Sequence, residues 1–339
     1  MKGVGAALAV LLIIFSLTAC VSGHVPGITG GDEGIDNAFH VDDPLKSWAF
    51  YGTFANAGSV SYYEFHLEKG DRLWFSLFTP EKEIIYPQAV LIGPGIESTG
   101  ELPAGVVVLE NDGYIIVPVK FPDHPEYEPF TPSANYQWSK FEYIAEVPGT
   151  YYIAMVNKGT GPGSYAVAIG YREEFSVSEW VLIPISIANV RIWEGNSPVF
   201  VCGFPILIVL FGLLYLFRLK KEPVIVKTET LTGVTGALLY FAGSLFMLIQ
   251  ASIALFKTGF QASSGVTAVF ILIPLVLGFL IMRYFLKPRG DPVKYQGMKL
   301  IVLGAIGLVF WSGYIIGPVL VIISGVKFLF NKRGRAKQP

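Results

Sequence analysis

The sequence predicts an exported all-β sandwich of jelly-roll type followed by an α-helical transmembrane bundle of about four spans. Three observations predict it. Short segments with period-two alternation, rich in aromatic and β-branched residues, recur from residue 47 to residue 171. Apolar runs at 199–217, 231–256, 266–285 and 300–326 each reach the roughly 20 residues that a membrane-crossing helix needs. Charge also separates along the chain: residues 21–174 carry 21 Asp/Glu against 8 Lys/Arg, and residues 175–339 carry 5 against 16. The two parts therefore face different media, although the whole chain has a net charge of only −1.

Composition agrees. The chain is 52% hydrophobic and 15% charged, with a mean hydropathy of +0.52, against about 25% charged residues in an average soluble domain. The acidic part is a poor partner for nucleic acid, whose phosphates require Lys and Arg. The expected partners are the lipid bilayer and other membrane or envelope proteins. Cys20 and Cys202 are the only cysteines, and one stands at the signal boundary while the other lies in an apolar run, so no disulfide framework is expected.

Residues 1–20 read as a signal peptide with a lipobox. Lys2 supplies the positive start, Val4–Phe15 the apolar stretch, and Leu17-Thr18-Ala19-Cys20 the cleavage pattern. Lipidation of the Cys20 thiol is the expectation, and an ordinary secretory signal or an uncleaved anchor is the alternative. Residues 21–44, rich in Gly and Asp, read as a flexible tether. Residues 45–174 form the exported sandwich, with strands expected at 47–54, 62–67, 73–78, 89–92, 106–109, 114–119, 141–145, 151–156 and 165–171. Turns at Glu68-Lys69-Gly70-Asp71 and Val147-Pro148-Gly149-Thr150 place Gly where a tight connection needs positive φ.

Several short motifs lie in this stretch: Tyr62-Tyr63-Glu64-Phe65, Leu67-Glu68-Lys69-Gly70-Asp71-Arg72-Leu73, Leu91-Ile92-Gly93-Pro94-Gly95, Pro148-Gly149-Thr150-Tyr151-Tyr152-Ile153 and Gly163-Ser164-Tyr165-Ala166-Val167. Together they resemble the bacterial and archaeal pre-peptidase C-terminal domain, over about residues 47–172. The resemblance implies a small β-sandwich appended to prokaryotic secreted and surface proteins, an accessory binding or packing module without catalytic residues. This chain departs from the family's usual setting, because a membrane domain follows the module and no protease domain precedes it.

The longest interruption among the expected strands, Phe121–Trp138, gathers Asp123, His124, Glu126 and Glu128 with Tyr127, Phe130, Tyr136 and Trp138. Carboxylates with aromatics could bind a hard cation or stack on a sugar; the competing reading is a solvated acidic loop whose aromatics cap the sandwich. No fixed metal-ligand spacing, phosphate loop, Gly-x-Ser-x-Gly elbow or His-Glu-x-x-His stands in the sequence. Neither a catalytic residue, a metal site nor a cofactor is expected.

Residues 175–197, with Trp180, Pro184, Arg191 and Trp193, read as an interfacial connector, a final strand plus linker being the alternative. In the bundle, 198–326, Gly233-x-x-x-Ala237 and Gly313-x-x-x-Gly317 offer small faces for close helix packing. No ionisable side chain lies mid-span, and Gln250 is the strongest polar group there, so the bundle reads as an anchor and not as a transport pathway. Basic residues place the loops after the first and third runs in the cytoplasm: Arg218, Lys220, Lys221 and Lys227, then Arg283, Lys287, Arg289, Lys294 and Lys299. The last run is about 40 Å long as one helix. One crossing, kinked near Gly317-Pro318, is expected, yet it would carry the basic tail, residues 327–339, outside; a broken hairpin is the competitor.

Overall fold

A computed structural model describes residues 23–30, 34–219, 228–286 and 293–330. The chain divides into two units, one comprising residues 1–128 and 134–195, the other residues 129–133 and 196–339.

The first unit is a two-sheet sandwich. Its eleven strands are β1 (Val25–Ile28), β2 (Phe39–His40), β3 (Trp48–Phe54), β4 (Val60–Leu67), β5 (Arg72–Thr79), β6 (Pro87–Pro94), β7 (Asp112–Ile116), β8 (Glu126–Glu128), β9 (Ser133–Ile144), β10 (Gly149–Asn157) and β11 (Gly163–Ile169). One sheet has the order β1-β3-β11-β5-β9-β8 and the other β2-β4-β10-β6-β7. Alternation sends Phe50 and Phe54, Phe65 and Leu67, Phe75 and Leu77, Ile153 and Met155, and Val167 and Ile169 into one shared core. Gly52 is required where it stands, because a Cβ there would come within 2.6 Å of the Tyr165 ring, which stacks on Phe54 with centroids 4.0 Å apart.

Both sheets are also covered on their outer faces. Tyr62, Val90, Ile92, Tyr152, Ala154 and Val156 point away from the shared core and form a second apolar cluster under Leu102, Val106 and Val108. The expected strand at 106–109 is therefore a cover instead of a ladder member: it has no strand pairing, and its Val107 amide donates to the Tyr62 hydroxyl at 2.7 Å. On the other sheet, Ala49, Tyr51, Ala166 and Ala168 share the outer face by register. Helix α1 (Val177–Trp193) packs against β1 and β3 of this sheet. Trp193 donates its indole N–H to the Gly52 carbonyl at 2.9 Å and meets the Tyr51 ring edge-on at 4.8 Å. At the other end, Ser176 and Glu179 form a capping box, and Glu179 also takes a 2.6 Å bond from Lys46. Residues 177–193 are thus a helix, not the strand considered as the alternative.

The sandwich also begins earlier than the sequence suggests. Inside the segment read as a tether, β1 pairs in parallel with β3 and β2 with β4. Asp43 then accepts from the Leu45 and Lys46 amides and pairs with Arg172 at 2.5 Å. Cys20 and the rest of the signal lie outside the described residues.

The second unit is helical: α2 (Pro198–Leu219), α3 (Thr228–Thr258), α4 (Ser264–Leu286), α5 (Val293–Val309) and α6 (Ile316–Phe330). Three of these, α2, α3 and α4, are long and apolar enough to cross a membrane. The run at 300–326 is not one kinked helix. At 17 and 15 residues, α5 and α6 are about 25 Å and 22 Å long, and they are separated by a turn in which Trp311, Gly313, Tyr314 and Ile315 all take positive φ. They lie antiparallel: a Cβ on Gly297 would meet the Gly325 carbonyl at 2.6 Å, and one on Gly304 the Pro318 carbonyl at 3.0 Å. Pro318 falls in the first turn of α6, where its missing N–H costs nothing, so the break precedes it instead of bending at it.

Candidate functional site

The loop that gathers candidate ligands in the sequence is taken apart by the fold. Asp123, His124 and Glu126 are exposed, and Glu126 pairs with Lys140 at 3.6 Å. Glu128 stands elsewhere: its charge, with that of Glu194, acts on the Tyr51 hydroxyl, which burial first pushes above its usual value and which Arg191 pulls back. No group of three or more His, Cys, Asp or Glu side chains comes together among the described residues.

The aromatics separate as well. Trp138 belongs to β9 and is a core residue, 1% exposed, whose indole N–H donates to the Thr79 hydroxyl at 2.8 Å. Tyr127 is buried in β8. Residues 129–133 belong to the helical unit, where the Thr267 hydroxyl donates to the Pro129 carbonyl at 2.6 Å and Phe130 meets the Phe270 ring edge-on. The first part of β9, residues 133–140, carries mixed polar residues on its open face, which hides it in the sequence, whereas its end matches the strand expected at 141–145.

What remains of the loop forms one wall of a pocket of about 370 Å³. Lys82, Glu83, Ile84, Ile85, Tyr86, Phe121, Gly159 and Thr160 line it. Lys82 holds the wall in place: its ammonium donates to the Pro122 and Asp123 carbonyls at 3.2 and 3.1 Å and lies 5.5 Å over the Phe121 ring and 5.3 Å over Tyr136. Phe121 and Ile84 are 54% and 41% exposed, so the pocket presents apolar surface beside a cation. The sequence suggests a contact role for Tyr136, and here it backs Lys82; Lys82, Ile84 and Thr160 carry no signal, because they come from two connections far apart in the chain.

His24 is half-buried against the same sandwich. It stacks on Trp74 and shares a 2.6 Å hydrogen bond with Ser47, and burial pushes its pKa down to about 4.

In the helical unit Gly233 and Ala237 share one helix, whereas Gly313 and Gly317 do not, because Gly313 precedes α6. Gly233 lies against the Phe285 ring and Ser324, Ala237 is fully buried, and Gly317 lies against the Gly236 carbonyl and the Tyr240 ring. Gly313 packs on Leu239 and Tyr240 from the non-helical turn. Gln250 is 4% exposed, with its amide nitrogen 3.5 Å from the Asn196 side-chain oxygen. No Asp, Glu, Lys, Arg or His is buried in this unit among the described residues.

Fold and surface together define a β-sandwich protein with helices of membrane-spanning length and composition. No protein-family model matches the chain, and no curated protein matches it. Solved structures similar to it include the pre-peptidase C-terminal domain of a collagenase from Bacillus anthracis, the family whose pattern the sequence resembles. That structure is 12% identical, with 39% of this chain and 93% of that chain covered and a TM-score of 0.22. Another is CorA, described as a surface-associated copper-binding protein of Methylomicrobium album BG8. It is 9% identical, with 43% of this chain and all of that chain covered and a TM-score of 0.23.

Proposed function

We propose that this is a non-enzymatic, membrane-anchored surface protein of a prokaryotic cell, whose sandwich stands outside the cytoplasm as a binding or partner-interaction module. The observation that carries the reading is the direct succession of a complete sandwich and three helices that are apolar on their outward as well as their inward faces. Phe211, Leu214 and Tyr215 on α2 and Leu272, Val276 and Phe279 on α4 are each more than half exposed, which suits a lipid solvent. Helix α1 extends the same idea to the sandwich. Its Val177, Val181 and Ile185, at i, i+4 and i+8, are exposed and would rest in the headgroup layer. Cys20 would add a lipid anchor at the mature amino terminus.

The pocket beside Lys82 and Phe121 is the surface we assign to a partner. Photocrosslinking from position 121 in native membranes tests it: a discrete protein or glycan adduct that disappears in Lys82→Ala is expected. An adduct pattern identical in Lys82→Ala, or none above an exposed control position, would sink the assignment. A second reading, an accessory subunit of a transporter or channel complex, is favoured by the same exposed aromatics of α2 and α4, which could seat a neighbouring subunit. It predicts stable co-purification with other membrane proteins.

A further inference from the structure

The turn between α5 and α6 is the one place in the helical unit where the described backbone turns left-handed at several successive positions. Trp311, Gly313, Tyr314 and Ile315 have φ of 45°, 54°, 61° and 64°, a region that β-branched Ile rarely enters. The turn is seated on α3. A Cβ on Gly313 would lie 2.9 Å from the Leu239 carbonyl carbon and the Tyr240 nitrogen, and one on Gly243 would lie 3.4 Å from the Gly313 nitrogen. Since α3 spans Thr228–Thr258, the contact falls near its midpoint, about 20 Å from one end and about 26 Å from the other.

Hydroxyls without a protein partner belong to the two segments that meet here. Tyr240 and Ser244 lie one turn apart on α3 and share a face. Ser312 and Tyr314 flank Gly313. Each of the four hydroxyl oxygens is buried and has no hydrogen-bond partner among the described residues; Tyr240, Ser312 and Ser244 are 0%, 2% and 3% exposed. The Tyr240 hydroxyl reaches α5 at Gly307, where a Cβ would stand 2.0 Å away. Buried hydroxyls are nearly always bonded, and a helix breaks at membrane depth only where protein or water takes up the freed backbone groups. Broken helices meeting at the midplane are also how membrane proteins build binding sites.

We propose that the 311–315 turn is the tip of a re-entrant hairpin, and that Tyr240, Ser244, Ser312 and Tyr314 form a midplane binding site for small uncharged hydrogen-bonding molecules, with water as its first occupant. Hydroxyls both donate and accept, as water does, so water can satisfy each of them. A divalent cation is a poor fit, because no carboxylate is buried in this unit among the described residues. The inference rests on the helical unit lying in lipid.

Thiol labelling of the full-length protein in vesicles tests it. In a Cys202→Ala background, Ser312→Cys should react with a small membrane-impermeant methanethiosulfonate at least about tenfold faster than Val321→Cys, a fully buried position on α6. A rate no faster than that of Val321→Cys overturns the site, whatever other measurements show. Should Ser312→Cys fail to accumulate, Ser244→Cys is judged by the same criterion. Melting gives a second reading: Ser244→Ala and Tyr240→Phe should each lower Tm by a few degrees if their hydroxyls are bonded to water. An unchanged or raised Tm counts against the site, because deleting an unbonded buried hydroxyl relieves a cost. Release of the chain by alkaline carbonate would remove the anchor reading and the midplane depth together, whereas slow labelling of a chain that stays in the membrane removes the site alone.

Discussion

The sandwich and the helical unit bury side chains by different rules, and the difference decides what can be changed in each. In the sandwich, large aromatics fill a core whose outer faces are themselves covered, as at Trp138, Tyr63 and Tyr151. In the helical unit the tightest contacts are made by absence of side chain: Gly236 against Gly317, Gly297 against Gly325 and Gly304 against Pro318. Water drives apolar groups together in the first. For helices in lipid that drive would be missing, and close backbone approach would take its place. Truncation should therefore damage the sandwich most, and enlargement should damage the helices most.

The largest effect is expected from Trp138→Ala, which empties a fully packed position and removes the bond that the indole donates to the Thr79 hydroxyl. A loss of about 3–5 kcal/mol should leave a fragment of residues 23–195 largely unfolded in urea titration. Near-native stability of that variant would contradict the rule stated for the sandwich. Next comes Gly236→Val, whose Cβ would meet the Gly317 carbonyl at 2.7 Å and the Val321 side chain at 2.7 Å. It should cost about 1–3 kcal/mol, read as a lower Tm in detergent, while Leu214→Ala on the outward face of α2 should leave Tm unchanged.

A smaller effect should follow pH. His24 takes a proton near pH 4 in the fold and near 6.5 unfolded, so its contribution is complete above about pH 6.5 and disappears as pH falls toward 4. Because the ring is only half-buried, about 1–2 kcal/mol is the expected size. Denaturant midpoints of the fragment at pH 7.5 and 4.5 should converge when His24→Phe replaces it; an unaltered pH dependence would contradict this. The smallest effect is expected at Arg72 and Glu142, paired at 2.7 Å on the surface. Arg72→Ala should shift the midpoint by no more than the titration's reproducibility, and a clear shift would mean that this pair acts through the Tyr171 ring over which Arg72 lies.

The same contrast explains what the sequence discloses. Strands β3–β6, β10 and β11 are legible because aromatic and β-branched residues alternate between punctuating Gly, Pro and Asp. β1 and β2 are not, since two to four residues carry no period and gain their pairing only from β3 and β4. Residues 106–109 carry a strand composition, yet they cover the second sheet, because Val106 finds its apolar partners across the face of β4, β6 and β10 instead of along a ladder. The candidate loop is legible as an interruption but not as a pocket wall, since Lys82, which anchors it, lies some forty residues away in sequence. In the helical unit the runs are plain, but the sequence displaces the break at 311–315 toward Pro318. Uniform apolarity hides where one helix ends, and only the seating of Gly313 on α3 marks the turn.

Lys257 and Lys327 fall on opposite faces of the membrane if α5 and α6 form a hairpin, and on the same face if residues 300–326 cross once. Both are exposed, at the end of α3 and in the last turn of α6. Thiol labelling at these two positions separates the arrangements. With the hairpin, Lys257→Cys should label from outside and Lys327→Cys only after the cytoplasmic face is opened, which also keeps the basic tail inside. Labelling of both positions from outside would contradict the hairpin, and with it the re-entrant turn at 311–315.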